Sequence, residues 1–224
     1  MNGQIRNAVL LSVALGSVLW AQPKAKITVM VYNYAALSPD VLADAEWQAA
    51  TIYERAGIAI KWLDCPLSPG SAALFPACRV STGPTKLAVR FFRQALASNL
   101  TRDEHAYGLA MTPEDGSFAE IANVFTEETD QLTDQFDATS GANLRSGVLL
   151  GFVVAHELGH LLLGSRSHSA FGIMRAKWYS KELKLIAQHT MTFTPADVAK
   201  MRENVEARMA AEAGYAHQYF RSKR

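Results

Sequence analysis

The chain has 224 residues, of which 49% are apolar or aromatic and 19% are charged, and 22 basic residues nearly balance 21 acidic ones. A chain this apolar is not intrinsically disordered, and a nucleic-acid-binding protein would carry a basic excess or a basic stripe. Fourteen glycines and eight prolines exclude a collagen-like or low-complexity chain, and two cysteines are too few for a disulfide-framework miniprotein. These counts predict one globular domain.

The N-terminus has the layout of a secretory signal peptide, which we assign to residues 1–21. A polar segment containing Arg6 precedes an apolar run of thirteen residues, Ala8–Trp20, and the small residue Ala21 follows. Thirteen apolar residues are too few to span a bilayer, which takes about twenty. We therefore expect a secreted or periplasmic mature chain, residues 22–224, with a formal charge of zero and no membrane span.

Export makes a disulfide between Cys65 and Cys78 the expected state of the two cysteines, because extracytoplasmic compartments are oxidising. The intervening loop contains three prolines and a glycine and is predicted to have no regular structure of its own. Closing a loop of this size stabilises the fold by about 3 kcal/mol if chain entropy dominates.

The first elements of the mature chain are predicted to be a strand, a helix and a second strand. Ile27–Tyr34 is β-branched and aromatic, which favours a strand, and Ile58–Leu63 has the same character. Ser38 and Pro39 are typical of a helix N-terminus, and Gly57 is typical of a C-terminus. Because the connections are short, this βαβ unit predicts two parallel strands.

Three further strands are predicted after the cysteine loop, at Lys86–Phe92, Ala106–Met111 and Glu120–Phe125. The acidic, polar segment Thr126–Asp137 follows and leads to Gly141 without a predicted element.

A long apolar helix is predicted from about Leu144 to Leu163, ended by Gly164. Three ionisable residues interrupt it, which favours a buried core helix over a membrane span. Arg166–Thr192 has no clear periodicity and is predicted to be mostly loop, and Thr194 and Pro195 begin a final helix that runs towards Glu212. The order of elements predicts one α+β domain with an α/β-like N-terminal half.

The candidate chemistry lies in the H-E-x-x-H motif on the long helix. His156 and His160 are four residues apart, so they project from one helix face and can bind a single Zn²⁺ ion. Glu157 lies beside the first ligand and is placed to act as general base on water activated by the zinc. His168 is the candidate third ligand, since Gly164 ends the helix and lets the chain return; a water or a downstream side chain is the alternative.

The segment Ala155–Met174 resembles the metzincin zinc peptidases, and among them the matrixins most. In that family H-E-x-x-H-x-x-G-x-x-H precedes a turn with a methionine below the metal. In this chain the glycine falls one position late, at Gly164, and the third histidine two positions late, at His168. Met174 nevertheless stands eighteen residues after His156, as in the family. The resemblance therefore implies a re-routed loop of unchanged length, with Met174 in the Met-turn.

The resemblance also implies a five-stranded mixed sheet with an active-site helix and a C-terminal helix. Ala106–Met111 becomes the antiparallel edge strand above the cleft, where an extended protein or peptide substrate could pair, and Glu120–Phe125 becomes its parallel neighbour. Ala176 occupies the position at which metzincins often carry a tyrosine, so that donor is not carried over.

We interpret the chain as a secreted zinc metalloendopeptidase that hydrolyses peptide bonds, with Glu157 as general base. Two alternatives stay open at this point. A zinc hydrolase of cell-wall peptide or another amide would use the same residues. A non-catalytic zinc-binding domain of the same fold would have no need of Glu157, since structural zinc sites usually have four protein ligands.

Overall fold

The computed structural model describes residues 25–72, 74–79, 81–94, 106–111, 113, 115, 117–164 and 167–221, so the predicted signal peptide lies outside the described residues. The helices and strands follow in the order β1 (Ala25–Asn33), α1 (Pro39–Arg55), β2 (Ile58–Asp64), α2 (Pro69–Ala72), α3 (Pro76–Arg79), β3 (Lys86–Phe92), β4 (Gly108–Met111), β5 (Ile121–Phe125), α4 (Thr126–Ser140), α5 (Ser146–Leu163), α6 (Ser180–Ala187) and α7 (Pro195–Arg221).

The five strands form one mixed sheet in the order β2-β1-β3-β5-β4. The pairs β2–β1, β1–β3 and β3–β5 are parallel. Strand β4 pairs antiparallel with β5 and forms the sheet edge opposite β2. Ile27, Val29 and Val31 of β1 are buried, which fits a strand inside a parallel sheet covered by helices. The predicted fold class, including the antiparallel edge strand, is confirmed.

Helix α5 runs through the core and packs closely on α1. An ideal Cβ at Gly151 would lie 2.7 Å from the carbonyl oxygen of Ala45 and 2.6 Å from Cβ of Gln48, so a side chain at position 151 would force the two helices apart. Helix α5 is long and apolar enough to cross a membrane by length and composition, but nearly all of its residues are buried within the domain.

The C-terminal end of α5 is held by α7. The last carbonyl groups of a helix have no partner within it and need donors from elsewhere. Gly164 N donates to His160 O over 2.9 Å, and Asn204 Nδ2 of α7 donates to Leu162 O over 2.6 Å. The buried guanidinium of Arg208 donates to Leu161 O. These bonds fix the helix end that carries the candidate metal ligands.

Helix α4 corrects the sequence analysis, which placed no element at Thr126–Asp137. Its buried face consists of Thr126, Thr129, Thr133 and Phe136, so the helical period is carried mostly by threonines and is invisible to a search for apolar residues. Thr129 and Thr133 bond the carbonyl groups four residues earlier, at 2.9 and 3.0 Å, which satisfies their buried hydroxyl groups. Gly141, at φ 64°, ends the helix.

Two segments predicted as loop contain short helices. The loop between Cys65 and Cys78 holds α2 and α3, each with a proline as its first residue, and the predicted disulfide is present. The segment Arg166–Thr192 contains α6, which buries Leu183 and Ile186 and begins after Tyr179, a residue type that is not typical of a helix N-cap. Helix α7 also extends beyond the predicted end at Glu212.

Candidate active site

Three histidine side chains converge at the end of α5. His156 and His160 project from one face of the helix, and His168 approaches from the following loop. The Nε2 atom of His160 lies 3.0 Å from Nε2 of His156 and 3.1 Å from Nε2 of His168. The candidate ligand atoms of all three residues lie within 4.8 Å of one another. Zinc–nitrogen bonds of 2.0–2.1 Å in a tetrahedral site place ligand atoms about 3.3 Å apart, so the three histidines fit a single Zn²⁺ ion.

The other ring nitrogens leave Nε2 free to bind a metal. His156 Nδ1 lies 2.7 Å from Ile173 O, and His160 Nδ1 lies 3.3 Å from Ser167 Oγ. Such bonds orient ligating imidazoles and fix their tautomer. Burial lowers the pKa of His156 to about 3 and that of His160 to about 4, and the neighbouring histidines add to both effects. Both rings are therefore neutral at pH 7, the form that binds zinc.

The loop that carries His168 is tied to the N-terminus of α7. Ser169 N donates to Met174 O over 2.8 Å, and Ser169 Oγ donates to Oδ1 of Asp197 over 2.8 Å. The other oxygen of Asp197 accepts a hydrogen bond of 3.1 Å from Thr194 N. Asp197 thus fixes both the start of α7 and the residue that follows His168.

Met174 packs directly below α5, where the sequence analysis placed the Met-turn. Its side chain is fully buried and reaches the backbone of Gly159, where an ideal Cβ would lie 2.4 Å from Sδ. Gly172 supplies the preceding turn at φ 78°, and a Cβ there would lie 2.6 Å from Thr192 O. Ile173, between them, provides the carbonyl that orients His156. The turn therefore supports the histidine site from beneath.

Glu157 is 5% exposed and lies against the edge strand β4. The backbone N–H of Ala110 donates to its carboxylate, and Gly108 leaves the room that the carboxyl group occupies. Burial raises the pKa of Glu157 to about 8, and the bond from Ala110 opposes that rise. A carboxyl group with a pKa in this range can both accept and release a proton near neutral pH.

The histidines and Glu157 line a cleft of about 570 Å³. Strand β4, residues 175–179 and part of α4 all line this space. This volume is in the range of ordinary ligand pockets. The site is therefore accessible to a substrate, and His168 is itself exposed.

The lining segment 175–179 is held by Glu182 of α6. Its carboxylate pairs with Arg175 and accepts a 3.0 Å hydrogen bond from Tyr179 N. Trp178 is 8% exposed and packs edge-on against His156, with ring centroids 5.7 Å apart. Trp178 thus covers one side of a candidate metal ligand, and Ala176 also lines the cleft.

The structure brings together all the site residues predicted from the sequence except the two cysteines, which lie beside the opposite sheet edge. Gly108, Trp178 and the linking role of Asp197 were not predicted from the sequence. Gly108 had a signal, because a glycine inside a predicted strand marks a bulge or a close approach to the backbone. Trp178 had no such signal in the sequence, because it lies in a segment without helical or strand periodicity.

Comparison with known proteins adds a structural neighbour at low similarity. No family model matches the chain, and no curated protein matches it. Among solved structures, the crystal structure of archaemetzincin from Methanopyrus kandleri is similar to it, with 13% sequence identity and a TM-score of 0.49 over 83% of this chain and 99% of the other. The resemblance to matrixins rests on the sequence motif alone.

Proposed function

We propose that residues 22–224 form a secreted zinc-dependent endopeptidase domain, released after removal of the signal peptide 1–21. The observation that carries the proposal is the convergence of three histidine Nε2 atoms beside a buried glutamate in an accessible cleft. His156, His160 and His168 would hold the ion. When bound there, zinc supplies a Lewis acid that activates water and polarises a carbonyl group.

Glu157 is the residue that moves the proton. Its carboxylate accepts a proton from the attacking water and returns it to the leaving amine. The N–H of Ala110 and the backbone of Gly108 hold the carboxyl group in one position between β4 and α5. This fixed position matters because a displacement of about 1 Å can lower a rate a hundredfold.

Strand β4 is the element that would bind the peptide backbone. It is an edge strand, bonded on one side to β5, and it forms one wall of the cleft. An extended peptide can add to such an edge through main-chain hydrogen bonds. The glutamines of α4 at the border of the cleft, Gln131 and Gln135, are exposed, which favours a chain that continues past the site and hence cleavage of internal bonds.

The metal site is tested by measuring zinc bound to the purified protein. We expect one zinc ion per chain and a loss of at least about tenfold in zinc affinity for His168→Ala. The matched control is His189→Asn, since His189 contacts Gln48 away from the cluster and asparagine tolerates its positive φ of 56°. Wild-type protein that binds no zinc, or a His168→Ala variant with unchanged affinity, would contradict the assignment.

The reaction is tested with Glu157→Gln on casein and on peptides blocked at both ends. We expect the variant to retain zinc and its melting temperature while losing cleavage, because glutamine keeps the shape of the side chain but cannot act as a base. Equal activity in both proteins would exclude this role for Glu157. Peptidoglycan serves as a parallel substrate, and release of its peptides without casein cleavage would favour the cell-wall alternative.

Export is tested separately by expressing the full chain in a bacterial host and sequencing the N-terminus of the extracytoplasmic product. We expect the mature chain to begin at Gln22.

A further inference from the structure

One face of helix α4 borders the cleft beside the candidate zinc site. The residues that line the cavity are Glu128, Gln131, Leu132 and Gln135, which stand at the spacing of a single helix face. The adjacent face, with Thr129, packs into the core and anchors the helix. A polar helix face is therefore fixed within the same cavity as His156 and Glu157.

Glu128 lines this cavity and has one carboxylate oxygen without a hydrogen-bond partner among the described residues. This oxygen, Oε2, is buried. A buried acceptor without a donor destabilises the structure, and a carboxylate is satisfied best by a cationic donor. Glu128 as a whole is only partly buried, so a turn of its side chain would present this oxygen to a cationic donor in the cavity.

The charges around Glu128 favour a cation over a neutral donor. Helix α4 carries five acidic residues and no basic residue (TEETDQLTDQFDATS). Two basic residues, Arg175 and Lys177, also line the cavity. The guanidinium of Arg175 already pairs with Glu182 and lies over the ring of Tyr179, 5.2 Å from its centroid. Glu157, the other carboxylate in the cavity, is engaged by the N–H of Ala110.

We propose that this part of the cleft is a substrate side-chain pocket, in which Glu128 binds the side chain of a lysine or arginine close to the scissile bond. The inference rests on the proposed peptidase function and adds a specificity-determining residue to it. Gln131 and Gln135 offer amide oxygens that can accept further hydrogen bonds from a guanidinium, and Leu132 contacts its aliphatic stem. A side chain fits better than a free amino terminus, because both glutamines are exposed and the cleft stays open past them.

The experiment begins by digesting denatured casein with zinc-loaded wild-type protein and identifying the new termini by mass spectrometry. Peptides blocked at both ends are then made for one cleaved site. They carry arginine, citrulline or glutamate at the selected position. Citrulline keeps the shape of arginine without its charge. The proteins compared are wild type, Glu128→Gln, Glu128→Lys and Asp134→Asn, the last being a control for an exposed acidic residue of α4 that does not line the cavity.

We expect wild type to cleave the arginine peptide with a kcat/KM at least about tenfold above that of the citrulline peptide. The ratio should fall close to one in Glu128→Gln, turn in favour of glutamate in Glu128→Lys and stay at the wild-type value in Asp134→Asn. Equal cleavage of the arginine and citrulline peptides by wild type, or a basic preference that persists in Glu128→Gln, would overturn the proposal. So would a requirement for a free amino terminus. If wild type cleaves no peptide, or if Glu157→Gln cleaves as well as wild type, the proposed peptidase function itself fails. That outcome is distinct from a failure of the Glu128 pocket alone.

Discussion

Gly108 and Glu157 occupy adjoining space, so that a side chain at position 108 would overlap the candidate general base. An ideal Cβ at Gly108 would lie 2.5 Å from Cγ, 2.6 Å from Cδ and 2.7 Å from Oε1 of Glu157. The φ angle of Gly108 is not in the left-handed region, so the glycine is needed for space and not for backbone conformation. The edge strand β4 and helix α5 can approach each other this closely only because Gly108 has no side chain.

The substitution Gly108→Ala should therefore displace Glu157 while leaving the fold and the three histidines in place. We expect kcat/KM on a peptide substrate to fall by about a hundredfold or more, because the base moves relative to the reacting atoms. Zinc content should stay at the wild-type value. The control is Gly83→Ala, where an added Cβ meets no atom within 4 Å, and its activity should not change. A fully active Gly108→Ala variant would show that Glu157 has no fixed position.

Gly159 and Met174 form a second close contact, on the other side of α5. We expect Gly159→Ala to lower the free energy of unfolding by about 1–3 kcal/mol, because Met174 is enclosed in the core and cannot move aside freely. The single substitution Met174→Ala should cost about 2–5 kcal/mol by leaving a cavity.

The double variant tests whether this contact is the cause. If the new methyl group occupies space vacated by Met174, the two losses in unfolding free energy should sum to more than the loss in the double variant. Urea denaturation of the four proteins measures this difference. Strict additivity would show that the strain at Gly159 lies against another neighbour.

The strands and the histidine motif could be predicted because each has a local signal. Lys86–Phe92 is a short, mostly apolar run with one valine and two phenylalanines and has the predicted bounds. The spacing of His156 and His160 follows from the helix period. Their positions along the chain can therefore be predicted locally, although the strands take their hydrogen bonds from neighbours that are distant in sequence.

The rest depended on contacts between distant residues. Helix α4 buries threonines whose hydroxyl groups are satisfied within the helix, so its core face looks polar in the sequence. The contact of Gly108 with Glu157 joins residues about fifty positions apart, and neither local sequence specifies it. Glu128 could not be singled out among the acidic residues of α4 until the helix was placed beside the cleft.

Arg208 of α7 stabilises the C-terminal end of α5. It is 2% exposed, and besides Leu161 O its guanidinium donates to Pro84 O over 2.9 Å and to Ala119 O over 3.0 Å. Lysine has one nitrogen and cannot reach three carbonyl groups in this fork geometry. We expect Arg208→Lys to lower the free energy of unfolding by about 2–4 kcal/mol, since buried carbonyl groups lose their donors.

The control for this substitution is Arg202→Lys on the exposed face of the same helix, which should change the unfolding free energy by less than about 0.5 kcal/mol. Urea denaturation of zinc-free protein measures both, so that metal binding does not mask the loss. Equal stability of the two variants would exclude a structural role for the three carbonyl contacts.

The carboxyl group of Glu46 on α1 should give the fold a pH-dependent stability at the opposite sheet edge from the cleft. Burial raises the pKa of Glu46 to about 8, and a hydrogen bond to the carboxylate of Asp64 and its negative charge add to the rise. Its Oε1 atom is buried and has no partner among the described residues. The folded chain therefore keeps a proton that the unfolded chain releases above its ordinary pKa of 4.5.

The sign of the effect follows from linkage: a raised folded-state pKa contributes stability that is complete below pH 4.5 and is lost as the pH rises towards 8. Glu46→Gln keeps a donor for Asp64 but does not titrate. We expect the variant to be close to wild type at pH 5 and increasingly more stable than wild type between pH 6 and 8, as measured by urea denaturation. Taking the difference between the two proteins removes the contributions of other titrating groups, including the histidines. Glu206→Gln, at an exposed position of α7, should show no such divergence, and parallel pH profiles for Glu46→Gln and wild type would rule out a shared proton at this site.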